Sequence, residues 1–146
     1  MKDLKLNSIH FMLMNYLSLI FIVITFQYLR NIEWTWVFAV SEVFFVVLFI
    51  ISLYYSYVKT GTWSFVHRSL EKLDERELKI VGKTSRLSYV VFTIIALLIM
   101  MVLSVTEWRI NMVFTAAMIY FSHILPASIL VIKNRKEDKN KEIIEN

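Results

Sequence analysis

Residues 87–105 read LSYVVFTIIALLIMMVLSV, nineteen in a row with no ionisable side chain except Tyr89. A helix needs about 20 apolar residues to cross the hydrocarbon core of a bilayer. In lipid such a run is helical, because a helix pairs its backbone polar groups within one segment. Three further runs match it. Residues 9–29 carry no formal charge when His10 is neutral, residues 34–57 carry one acid, Glu42, and residues 110–132 carry one histidine, His123. The expected fold is therefore all-α. It is a four-helix transmembrane bundle with spans near 9–29, 34–57, 87–105 and 110–132, a linker at 58–86 and a tail at 133–146, all within a single membrane domain.

Composition agrees. Hydrophobic residues make up 58% of the 146 and charged residues 19%, against roughly 45–50% and about 25% in soluble chains. A soluble chain of this size has too little interior to hide that apolar surface. Two glycines and one proline argue against a barrel of short strands and many turns. The absence of cysteine excludes disulfides and thiolate chemistry. The first run is longer than the apolar stretch of about 7–15 residues in a signal peptide. No small-residue cleavage pattern follows it at Gln27-Tyr28-Leu29-Arg30, so it reads as a retained span.

Basic residues set the expected orientation. Fourteen of the sixteen Lys and Arg fall before the first run, between the second and third, or after the fourth. Only Arg30 and Arg109 fall in the two short turns. Cytoplasmic loops carry the Lys/Arg excess, so both termini and the linker are expected in the cytoplasm of a cell (inner) membrane. Trp34, Trp36 and Trp108 then fall at the outer boundary, and Trp63, Tyr54, Tyr55 and Tyr57 near the inner one, where amphipathic rings favour the headgroup level. The short turns imply two tight hairpins, with little chain outside to receive a bulky ligand.

Within the linker, Trp63, Val66, Leu70 and Leu73 recur at helical spacing, and Ile80 or Val81 continues the stripe. Glu75 and Lys79 stand at i,i+4 in the favourable order, and Gly82 is a plausible stop. The pattern predicts an amphipathic helix over 62–80 lying on the inner membrane surface. Arg68, Lys72, Arg76 and Lys79 form its candidate lipid or partner surface, the alternative being a solvated connector. Its segment Lys72-Leu73-Asp74-Glu75-Arg76-Glu77-Leu78, followed by a basic stretch and two spans, resembles small bacterial multi-pass membrane proteins of uncharacterised role that carry a DER-type cytoplasmic motif before a pair of spans. The resemblance covers about residues 70–105, with Ile124-Leu125-Pro126 as a further element. It implies placement of the motif and no reaction or ligand.

Polar groups inside the runs are the remaining candidates. Glu42 lies about 10 Å below the outer boundary at about 1.5 Å per residue, and intramembrane acids mark functional sites by default. The alternative is an interhelical hydrogen bond. His123 lies on a helical face with Ala116, Tyr120 and Ala127, and Pro126 withholds its N–H from the Ser122 carbonyl and is expected to kink the span. Glu42, His123 and Ser122 therefore form the candidate intramembrane site, with Glu42 and His123 about 8 Å apart in depth and suited to proton or cation coupling. Asn15, Ser18 and Thr25 read as interhelical hydrogen-bond donors. Glycine loops for phosphate and zinc-protease or nucleophile-elbow motifs are absent from the sequence. No catalytic residue, metal or cofactor is expected, nor a nucleic-acid surface, because acids alternate with the basic residues. Three functions stay open: a small accessory or regulatory membrane protein, an oligomeric transporter or channel subunit built on Glu42 and His123, and, least favoured because no paired catalytic set is visible, an intramembrane enzyme. The expected partners are the bilayer together with further copies of the chain or another protein.

Overall fold

The computed structural model describes residues 2–29, 36–106 and 110–144, with side chains for 8–27, 36–69, 71–106 and 110–135. The chain order is α1 (Lys2–Leu29), α2 (Trp36–Leu53) running into a π-helical turn (Tyr54–Val58), α3 (Thr62–Val66), a 3-10 turn (Leu70–Lys72), α4 (Glu75–Thr106) and α5 (Met112–Ile144). Four of these helical stretches, Ser8–Gln27, Trp36–Val58, Glu75–Thr106 and Met112–Arg135, are long and apolar enough to cross a membrane. The expected outer turns, with Arg30, Trp34, Trp108 and Arg109, lie outside the described residues.

α1 packs on α2 and α5, and α4 packs on α5. Ring contacts give the register. Phe11 stacks on Tyr55 at 4.9 Å between centroids and Phe21 on Phe45 at 4.6 Å, so α2 runs back along α1. Phe49 meets Tyr120 edge-on and the Tyr57 hydroxyl reaches Ser128. Both pairs are separated by 71 in number, so α2 and α5 run the same way at matched depth.

The core sits at one end of the bundle, the end that carries the linker. Ile9, Met12, Tyr57, Ile124, Ala127 and Val131 form it, with Trp63 and Val66 of α3 packed against it. Small residues let the helices approach closely there. Ser18, Ser52, Ser56, Thr84, Ser88 and Ser128 are buried, and each hydroxyl bonds a carbonyl three or four residues back in its own helix. A polar side chain whose proton is already used in this way is buried at little cost. At the other end the packing is apolar and open. None of the apolar window of α4 is buried, against 39% of that of α5, and a cleft of about 250 Å³ separates α1 from α4, lined by Val23, Ile24, Ile95 and Ile99 and floored by α5.

The linker departs from a single helix over 62–80. Gly61 takes a left-handed φ of 72°, which glycine adopts without steric cost. The chain reverses there, and α3 packs against α5 and the end of α2. A second helix then starts at Glu75. The Asp74 carboxylate accepts from the Glu77 N–H at 2.6 Å, and the Asp74 N–H donates to the Glu77 carboxylate at 3.2 Å. This reciprocal capping box marks a helix start. α4 therefore begins 12 residues before the apolar run and passes through Gly82 without stopping. Gly82 stays helical, and only Gly61 supplies a positive φ. Of the expected stripe, the Leu70 side chain lies outside the described residues. Leu73 and Val81 are buried and Trp63 and Val66 half-buried, while Arg68, Lys72, Arg76 and Lys79 are exposed. Replacing Asp74 by Ala is expected to cost about 1 kcal/mol. The check is a lower thermal midpoint by circular dichroism in detergent, with Asp74→Asn, which still caps, closer to wild type.

Candidate functional site

The buried polar groups that bond from one helix to another gather where α1, α2 and α5 meet. Asn15 is fully buried. Its amide donates to the Phe49 carbonyl at 3.2 Å and to the Ser52 hydroxyl at 3.3 Å, and its side-chain oxygen accepts from the Tyr120 hydroxyl at 2.7 Å. One side chain thus ties three helices. About two helical turns further along α5 from Tyr120, Ser128 does the same. Its hydroxyl donates to the Ile124 carbonyl at 3.0 Å. Its two lone pairs then accept from Tyr16 of α1 and from Tyr57, the latter at 2.8 Å.

Tyr57 reaches Ser128 because of the π-helical turn. In an α-helix, residue 57 stands about 140° round from Ser52. The turn Tyr54–Val58 closes on the fifth residue, as the Lys59 N–H to Tyr54 carbonyl bond of 2.9 Å records. That wider turn brings Tyr57 back toward the face of Ser52. Tyr57 is fully buried, whereas the aromatic-belt reading put it at the headgroup level. Tyr54 and Tyr55, on the outside of the same turn, are exposed as that reading requires.

The network is closed. Its donors find acceptors within the chain, and it contains phenols, hydroxyls and an amide with no carboxylate or imidazole. Phenols titrate near pH 10, so these groups stay neutral at physiological pH. What they do chemically is fix helix register.

Glu42 and His123 lie outside this network and apart from each other. Glu42 shares a helix face with Phe38, Phe45 and Phe49, the last two in contact with α1 and α5. One of its carboxylate oxygens, Oε2, is buried with no hydrogen-bond partner among the described residues. By the matched register of α2 and α5, His123 stands level with Ser52, ten residues or about 15 Å of helix from Glu42. The imidazole of His123 is exposed and lies 6.4 Å from that of His67 between centroids. His67 stacks on Trp63 at 4.1 Å and its Nδ1 bonds the Trp63 carbonyl at 3.0 Å. The histidine expected at mid-span thus meets the linker, because α3 folds back along α5. Ser122 bonds the Ile119 carbonyl of its own helix at 2.7 Å. Pro126 sits inside α5, which continues on both sides of it.

Among the basic linker residues, Arg68 pairs loosely with Glu77 at 3.9 Å and lies over the Phe65 ring. Lys79 pairs with Glu75 at 3.7 Å, an exposed pair of small energetic consequence. Among the described residues no cluster of three or more His, Asp or Glu is grouped to hold a metal. Near the open end, Asn111 caps α5 by accepting from the Phe114 N–H at 2.7 Å, and its amide donates to Gln27 of α1.

The two hydroxyl bonds on Ser128 share one acceptor and are expected to be coupled. Tyr57→Phe and Ser128→Ala should each destabilise the bundle by about 1 kcal/mol. The double variant should cost less than the sum by about 0.5 kcal/mol or more. Reversible unfolding in mixed micelles measures the cycle, and strict additivity would contradict the shared acceptor.

Comparison of the chain with family models, curated proteins and solved structures gives no match.

Proposed function

We propose that the protein is a multi-pass membrane protein with its termini and linker in the cytoplasm, built from the hairpins α1/α2 and α4/α5, and that it acts as a small accessory or regulatory protein rather than as an enzyme. The observation that carries this reading is the closed network around Asn15 and Ser128. Its polar groups hold one another and leave no unpaired donor facing a pathway. The cleft between α1 and α4 is apolar, and ions do not cross such a surface without polar or charged lining groups. What the bundle offers outward is helix surface. Leu97 and Met101 of α4 are 65% and 68% exposed, and that face is open to neighbouring lipid or protein.

A second reading, an oligomeric transporter or channel subunit, keeps one specific support. The orphaned oxygen of Glu42 is the kind of intramembrane acid that pumps and transporters use. The separation of Glu42 from His123 counts against the two acting as one relay.

Reconstituted into vesicles, the wild-type chain is expected to conduct no protons or monovalent cations above the protein-free background. A flux that disappears in Glu42→Gln would replace the accessory reading with the transport one. A photoreactive residue at Leu97 or Met101 is expected to crosslink to another membrane protein or to a second copy in intact membranes, and one at the buried Tyr57 position is not.

A further inference from the structure

At the linker end of the bundle a groove of about 400 Å³ opens between the Gly61 reversal, the start of α4 and the end of α5. Its polar wall carries Thr62, Ser64, Arg68, Lys133 and Asn134. Its apolar wall is Phe65, Ile80 and Leu130. We propose that this groove binds the phosphate headgroup of an anionic phospholipid from the leaflet that faces the linker.

Four observations converge on that ligand. The first is depth. Trp36–Val58 and Met112–Arg135 are the membrane-crossing stretches, so Thr62 and Lys133 fall where hydrocarbon gives way to headgroups. The second is charge. Two cations reach the groove from different elements, Arg68 from the linker and Lys133 from α5. The guanidinium presents five donors in a planar fork that suits phosphate oxygens. Among the described residues its anionic neighbour Glu77 stands at 3.9 Å, beyond a close ion pair, and already accepts from the Asp74 N–H with its other oxygen. The third is the pair of oriented hydroxyls. Thr62 donates to the Tyr57 carbonyl and contacts the Thr60 hydroxyl at 2.9 Å, and Ser64 donates to the Gly61 carbonyl, so the Ser64 oxygen keeps a lone pair that can accept from a glycerol hydroxyl. The fourth is the apolar wall. A soluble phosphate ester would leave Phe65, Ile80 and Leu130 wet, whereas the glycerol and first methylenes of a lipid would cover them. Basic pockets between spans on the cytoplasmic side are a recurrent mode of anionic lipid recognition.

Folding the linker back toward the bundle is what assembles the groove. A helix lying flat on the membrane surface would spread Arg68, Lys72, Arg76 and Lys79 as a diffuse basic face. The Gly61 reversal instead brings Arg68 into the same groove as Lys133, leaving Lys79 outside and paired with Glu75.

The inference rests on the membrane reading above. A chain extracted without detergent would sink that reading, and a detergent-extracted chain with no headgroup preference would sink this one alone. The experiment uses the full chain in mild detergent, offered phosphatidylglycerol and phosphatidylcholine at equal mole fraction, with retained lipid counted by native mass spectrometry. Wild type is expected to retain phosphatidylglycerol preferentially. The double variant Arg68→Gln/Lys133→Gln is expected to lose that preference by about tenfold. Ser64→Asp, which adds a carboxylate to the wall, should shift it the same way. Lys79→Gln and Ser69→Asp, both outside the groove, should leave it in place. An unchanged preference in the groove variants overturns the proposal. So does an equal loss in the Lys79→Gln control, which would indicate diffuse surface charge, or displacement by glycerol 3-phosphate, which would indicate a soluble anion.

Discussion

Asn15 and Ser128 stand where three long helices meet, and the rest of the bundle depends on their having no unpaired polar atom. Lipid offers helices little reason to associate, since side chains in contact with acyl tails are as well solvated as side chains in contact with each other. Packing of small residues and hydrogen bonds across helices must supply the specificity. Here the two coincide. The serines that let α1, α2 and α5 approach are the ones that receive the Asn15 amide and the tyrosine hydroxyls. An amide at this position in hydrocarbon, unpaired, would cost several kcal/mol. The register that satisfies it is therefore set apart from its neighbours by more than a single contact is worth.

That constraint reaches into the backbone. To bring Tyr57 to Ser128, α2 gives up its last α-helical turn for a π-helical one, and the chain then reverses at Gly61. The reversal places Trp63 and Val66 over the core and His67 beside His123. The linker is thus a lid on the network rather than a separate surface helix, and the basic side chains it carries are positioned by the same reversal. The end of the molecule with polar contacts is the end with a defined shape. At the opposite end Asn111 ties α5 to α1 through Gln27, and among the described residues an apolar cleft remains between α1 and α4.

The runs that make the four spans are local in sequence, and each is decided by its own composition, which is why they were legible before any packing was known. So was the inward stripe of the linker. What was not legible has a common cause. The capping box of Asp74 and Glu77 was visible as a charged motif, but its meaning as a helix start depends on where the preceding chain turns. Tyr57 reads as an interface aromatic at α-helical phase, and only the π-helical turn moves it inside. Asn15 read as a hydrogen-bond donor, and so it is, but its partners Ser52 and Tyr120 come from spans whose relative rotation no single-helix pattern fixes. The depth of His123 was read from its place in the apolar run, while its surroundings are set by the linker folding back along α5.

Glu42 is the one group that does not fit the economy of the rest. Among the described residues every other buried hydroxyl or amide is held by a neighbour, whereas one oxygen of this carboxyl is enclosed without one. An orphaned polar atom costs about 1–3 kcal/mol, and a leucine would fill the position without that cost. The position is also the wrong one for a stabilising role. It lies away from the core, toward the apolar end where α1 and α4 separate, and the polar pair nearest that end, Gln27 and Asn111, is already satisfied. A cost borne at the loosest part of a bundle marks Glu42 as the position whose partner the described residues do not supply.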